Sequence, residues 1–294
     1  MGHMTYPIET LTMRPSRFHF SLSWLMAAVA LVAIGLAGVG LFRENQARAE
    51  REPCRGKLRN LAMALKGYQS QWGAFPPGTV RGDRLVPERR LSWVILILNW
   101  TDYYQSISFL FDPDLPWDSE TNILPQVQVS PPGEPRSVEP STEPPWFPIR
   151  CPAHLSRVKP GMPEPLVYVG IAGLGTDAPN LPIGHPRAGI FGYNRQTRTA
   201  DLKDGASSTM MLAETTAQVG PWTAGGPSSV RGLDPNRRPY LGRGRQFGGT
   251  HRGGAMIAMA DGSVHFLRDS IAPSVFEAPS TVAGGESLPV GWDR

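Results

Sequence analysis

The residues of this chain that could do chemistry fall in a few short stretches. His251 is followed after nine residues by Asp261-Gly262. An imidazole and a carboxylate at that distance could bind a ligand or transfer a proton. They also suit a β-hairpin with an Asp-Gly turn and His251 hydrogen-bonded at its base, and this structural use is favoured. Cys151-Pro-Ala-His154 has metal-ligand types at short spacing. No second Cys/His pair lies nearby and six histidines are scattered over the chain, so no metal or other cofactor is expected. Asp201, Asp204 and Glu214 surround Gly205, but without the alternate-position oxygens of a calcium loop, and read as a polar turn. Ser156-Arg-Val-Lys159 fits the loose Ser-x-x-Lys pattern of some acyl enzymes. Pro160 directly after it disrupts the helix that would align the pair, and the companion motifs are absent.

Six arginines, Arg231, Arg237, Arg238, Arg243, Arg245 and Arg252, share 22 residues with one acid, Asp234. Such a stretch is either a solvated loop or a surface that neutralises a polyanion, a headgroup or a glycan. Tyr240 and Phe247 are its only aromatics for stacking bases, so nucleic acid is not an expected partner. His251, Asp261, Gly262, Arg243 and Arg245 are the candidate binding residues. There is no P-loop, Gly-x-Ser-x-Gly or dinucleotide fingerprint. No catalytic residue is assigned, and the chain does not read as an enzyme.

The elements that must position these residues follow from composition and pattern. Among 294 residues, 32 are Gly and 30 are Pro, about a fifth of the chain. Only 18% are charged and 40% are apolar, which excludes a generally disordered protein. There is no Gly-x-y period and no sustained heptad, so collagen and a long coiled coil are excluded as well. This composition favours short strands and many turns.

Residues 20–42 contain no charge. At 1.5 Å rise per residue they reach across a hydrocarbon core about 30 Å thick. The run is too long for the apolar region of a cleaved signal peptide, despite Ala47-Arg48-Ala49 after it. A membrane anchor is expected. Its small-residue stripe, Ala30, Ala33, Ala37 and Gly40, could pack helix against helix. The flanking charge favours a cytoplasmic C-terminal side: Arg43, Arg48, Arg51, Arg55 and Lys57 follow the run, whereas Arg14 and Arg17 precede it.

Pro53 should end or kink the helix that continues from the anchor. Leu58, Leu61, Ala62, Leu65, Tyr68 and Trp72 then repeat at helical spacing, and Gly73 marks a stop. The aromatic run over 91–111 reads as core or interface. Eight prolines within 125–148 predict an exposed loop. From 166 onward strand-like pieces recur between Gly-rich turns, the antiparallel pattern. In 255–260 both alternating faces are apolar, which predicts a strand covered on both sides. His265 marks a more polar edge in 263–267.

Residues 54–78, Cys-Arg-Gly-Lys-Leu-Arg-Asn onward, and the His251-x9-Asp261-Gly262 pattern together resemble a large bacterial family of unknown function with a pilin-like N-terminus. Further matches are Pro116-Trp117-Asp118-Ser119 with Asn122, Arg150-Cys151-Pro152, Tyr168-Val169-Gly170, Asp204 to Thr209 followed by Glu214, and Phe247-Gly248-Gly249. The resemblance implies a long N-terminal helix anchoring an α+β head outside the cytoplasmic membrane, as in pilins and pseudopilins. It implies no reaction. His19 and Trp24 stand where prepilin processing wants Gly and Glu, so no cleavage before Phe20 is expected.

In an extracytoplasmic head, two cysteines at family-matching positions, Cys54 and Cys151, read as one disulfide, the alternative being two unrelated buried thiols. Closing about 97 residues, it would contribute about 4.7 kcal/mol in the chain-entropy model.

The expected organisation is a flank (1–19), an anchor (20–42), a helical stalk (43–78), an α+β head of mostly antiparallel sheet (79–272) and a flexible tail (273–294). The expected role is a single-pass, pilin-like envelope protein that partners with the membrane and with itself or other pilin-like subunits. The alternative is a tethered solute- or glycan-binding module with a cleft lined by Trp93, Trp100, Trp222 or the arginines.

Overall fold

The structure, a computed structural model, describes residues 22–82, 84–101, 108–123, 151, 164–286 and 288–293. The Pro-rich stretch over 125–148, together with His154, Ser156 and Lys159, lies outside the described residues. The chain divides into two compact units, Met1–Arg48 and Ala49–Arg294.

Helix α1 runs Leu22–Trp72. In the first unit its described side chains from Ser23 to Phe42 are exposed, Trp24 and Phe42 at 74% and 70%. This is the one helix among the described residues that is long and apolar enough to cross a membrane. Pro53 does not end α1, because the helix continues through it to Trp72. Proline removes a single backbone bond, the one to residue 49. The side chains just beyond it are buried at helical spacing: Cys54, Leu58, Leu61, Leu65 and Tyr68. Burial of that stripe outweighs the local cost. Gly73, at φ 74°, then closes the helix, its N–H bonded to the Gln69 carbonyl.

Five strands form one sheet: β1 (Tyr168–Leu174), β2 (Met210–Glu214), β3 (Val230–Leu233), β4 (Gly254–Met259) and β5 (Val264–Arg268). Their order is β3-β1-β2-β4-β5, antiparallel except for the β1–β3 pair. The fold is therefore α+β, as the sequence implies. One face packs Tyr168, Ala172, Met256 and Ala258 with the α1 stripe. The opposite face packs Val169, Ile171, Ile257 and Met259 with Tyr240, Phe247 and Phe276. β4 is thus covered on both faces, as its doubly apolar pattern predicts. β5 is an edge strand, with His265 half-buried.

Where the sequence suggests a flexible tail over 273–294, the structure instead packs the first part of that segment. Helix α2 spans Trp93–Ile97 and α3 spans Pro273–Glu277, and Phe276 of α3 is fully buried against Tyr240 and Phe247. One aromatic ring filling the second face holds a segment whose composition otherwise reads as loop.

The β4–β5 connection also differs from expectation. A two-residue Asp-Gly turn would need positive φ at both positions. Here Gly262 has φ 91° and Asp261 has no positive φ. Gly262 N–H donates to the Met259 carbonyl and Met259 N–H to the Ser263 carbonyl. The loop is therefore three residues, 260–262, with the left-handed position at its end. The Asp261 carboxylate accepts from Ser263 N–H and Oγ at 2.8 and 2.7 Å, and its carbonyl accepts from Lys66 Nζ at 2.7 Å. The turn is pinned to α1. A Cβ on Gly262 would meet Lys66 and Met63 at 3.3 Å. Gly262→Val should destabilise the head by about 1–3 kcal/mol, mainly through the strained backbone. Thermal or denaturant unfolding checks this, with Ser263→Ala as a milder control.

Candidate functional site

The sheet face beneath α1 gathers polar side chains that lie far apart in the sequence. Cys54 is on the first buried turn of α1, Tyr168 opens β1, Glu214 ends β2, and His251 sits just before β4. The β1–β2 register pairs Tyr168 with Glu214. A short bridge pairs His251 with Gly254. Cys54 and Cys151 form a disulfide with Cα atoms 5.0 Å apart, inside the range such a bridge requires. Tyr168 Oη donates to the Cys54 carbonyl at 3.3 Å.

The Glu214 carboxylate is almost wholly buried. Its Oε2 accepts from Met256 N–H at 2.8 Å. Its Oε1 lies 3.3 Å from His251 Nε2, but the approach lacks hydrogen-bond geometry and the oxygen has no donor. The same Nε2 lies 3.7 Å from Cys151 Sγ. The sulfurs, the imidazole nitrogen and the carboxylate oxygen all fall within 4.8 Å of one another. Burial, and secondarily the Glu214 charge, hold the Tyr168 phenol well above its ordinary pKa of 10.0.

His251 therefore belongs to a buried cluster rather than to a pair with Asp261, whose carboxylate is occupied in the β4–β5 turn. The Asp201, Asp204 and Glu214 set does not act together either. The Asp201 carboxylate accepts from Arg198 N–H, and Asp204 accepts from Gly284 and Gly285 N–H.

The arginines take different places. Arg243, Arg245 and Arg252 are exposed, whereas Arg231 is buried on β3. Burial lowers the Arg231 guanidinium to about 10, and its Nη1 donates to Gln218 at 3.2 Å. Arg238 pairs with Glu277. Trp93 and Trp222, which the alternative binding-module reading would place in a cleft, are core residues. Trp93 Nε1 donates to the Ser229 carbonyl, and Trp222 packs edge-on against Phe111.

The convergence of Cys54, Cys151, Glu214 and His251 is not legible locally, since each sits in a different element. The sequence signal that groups them is that all four fall within the motifs carrying the family resemblance. A family profile described as Protein of unknown function (DUF1559) matches residues 45–233 and 218–274. No curated protein and no solved structure matches the chain.

Two predictions test the cluster. His251→Ala removes the imidazole that faces the buried carboxylate and should cost about 1–3 kcal/mol of stability, read by denaturant unfolding. A variant of full stability that lost binding to a partner would mark His251 as a recognition residue instead. The second prediction concerns pH. The unfolded chain releases the Tyr168 proton near 10.0 while the folded protein retains it, so Tyr168's contribution falls as pH rises above 10.0. Relative to Tyr168→Phe, wild-type stability should drop by up to about 1.4 kcal/mol per pH unit in that window. A gap between the two that does not change with pH would mean a solvated phenol.

Proposed function

We propose a structural or interaction role at the cell envelope for this chain, which belongs to the DUF1559 family of proteins of unknown function. In this reading it is a single-pass, pilin- or pseudopilin-like membrane protein with its C-terminal head outside the cytoplasm. Its partners are the lipid bilayer and other pilin-like subunits, itself included. No catalytic step is part of the proposal.

The observation that carries the reading is the exposed, uncharged stretch of α1 up to Phe42, apolar around its whole circumference. A helix that presents Trp24, Leu31, Ile34 and Phe42 to its surroundings needs an apolar environment or a partner of the same kind. The buried Cys54–Cys151 bridge supports the outward orientation, because disulfides persist in oxidising compartments. The arginines and tryptophans give less support to a solute-binding cleft, because Arg231, Trp93 and Trp222 are taken up by the core.

Fractionation of cells expressing the full chain tests this. The protein should sediment with membranes and resist alkaline extraction. Protease added to spheroplasts should reach the head, and deletion of 20–42 should release it from the membrane. Intact-mass measurement should find no chain beginning at Phe20. A wholly soluble protein cut near Ala49, or a head that protease cannot reach, would overturn the reading.

A further inference from the structure

We propose that Cys54, Cys151, His251 and Glu214 form a second, alternative site: a closed tetrahedral centre for a borderline-soft divalent cation of the zinc class, available when the disulfide is reduced. The inference starts from the unpartnered oxygen. Glu214 Oε1 is buried and has no donor, although a backbone N–H holds its sister oxygen at 2.8 Å. A buried carboxylate oxygen left this way is costly and calls for a partner of positive charge.

Its surroundings are those of a ligand set. His251 Nε2 faces both Oε1, at 3.3 Å, and Cys151 Sγ, at 3.7 Å, rather than pairing with either alone. Bond lengths of about 2.0–2.3 Å in a tetrahedral zinc site set neighbouring donors about 3.3–3.8 Å apart. A single nitrogen at those spacings from an oxygen and a sulfur occupies one corner of such a tetrahedron. The second sulfur, Cys54 Sγ, lies within the same 4.8 Å sphere.

Two thiolates, one imidazole and one carboxylate are a zinc-type donor set, too soft for calcium or magnesium. The supporting shell is already present. Met256 N–H fixes the carboxylate, and Tyr168 ties down the Cys54 carbonyl. With no position left for water, the centre would be structural.

The interconversion balances. A dithiol transfers two electrons to the Cys54–Cys151 bond and becomes a disulfide itself. The two sulfurs become thiols, and one divalent cation binding both displaces their two protons. Oxidation by a disulfide runs the same exchange in reverse and expels the cation. The head thus has two alternative links at one place, selected by redox state: a bridge from α1 to Cys151, or a cation that also engages Glu214 and His251.

Full-length protein in detergent provides the test. After reduction with a phosphine, which takes the place of the dithiol and becomes the phosphine oxide, cobalt(II) is added as a probe. The expected result is thiolate-to-cobalt charge transfer with tetrahedral d–d bands, one ion per chain, and displacement by zinc. The unreduced protein should show none of these. His251→Ala and Glu214→Ala should weaken uptake by at least about tenfold, the lower end of what loss of a merely supporting partner costs. If reduction unfolds the head, added zinc should restore its near-ultraviolet circular dichroism. Three results would each overturn the proposal: no thiolate band and no zinc-dependent refolding in the reduced wild type, equal uptake by the unreduced protein, or uptake unaffected by both substitutions.

Discussion

The head depends on one constraint, the seating of the Cys54–Tyr68 stripe of α1 on the sheet. A five-stranded sheet with two apolar faces cannot stand alone in water, and α1 supplies much of the cover for one of them. The stripe is fully buried at Cys54, Leu58, Leu61 and Leu65. The second face closes by other means, with Tyr240, Phe247 and Phe276 drawn from a Gly-rich loop and a one-turn helix. Around the stripe, polar contacts fix the register of α1. Lys66 holds the β4–β5 turn, and Arg51 donates to the Arg252 carbonyl and lies 3.6 Å from the Phe266 ring centre. These exposed contacts contribute little energy individually. Their use is positional, because each links α1 to the C-terminal hairpin at a different height.

The disulfide acts at the same place. It joins the first buried turn of α1 to a residue 97 positions later, and a loop of that size gives about 4.7 kcal/mol in the chain-entropy model. A sheet held by one amphipathic helix that must also pass through Pro53 gains most from a restraint beside that proline. The polar cluster below the bridge costs stability where a plain apolar core would not. Glu214 could have been Leu on packing grounds alone. Its place in the middle of the core sets an ionisable group beside His251 and the disulfide.

Much of this is legible in the sequence, and for physical reasons. The uncharged run over 20–42, the 3.6-residue repeat of Leu58, Leu61 and Leu65, and the doubly apolar 255–260 each express one driving force, apolar burial, through a fixed period. Features set by tertiary contact are not legible. Pro53 reads as the end or a kink of the helix because the local cost is visible and the packing that carries the helix past it is not. Phe276 sits in a low-complexity stretch, and nothing nearby announces the ring stack that awaits it. The turn at Asp261-Gly262 reads as two residues instead of three because Ala260 looks like strand, yet it already lies in the loop. Glu214 groups with Asp201 and Asp204 by proximity along the chain, whereas the sheet groups it with Tyr168 and His251.

The arginines after the anchor and the two cysteines pull in opposite directions on orientation, and both are also used in the fold of the head. Positive charge next to a span disfavours export of that flank. Yet Arg51 is built into the head through the Arg252 carbonyl and the Phe266 ring, and Arg48 and Arg55 pair with Glu44 and Glu52 along α1. These residues thus have structural uses in addition to any effect of their charge on topology. The cysteines have no comparable second use in an oxidising compartment, where a bridge is what two buried thiols in contact become. In a reducing one the same thiols, beside His251 and a carboxylate oxygen without a donor, are what a zinc-class cation would need. The side of the membrane and the chemical state of Cys54 and Cys151 are therefore one physical question, because the compartment sets the redox state of the two sulfurs.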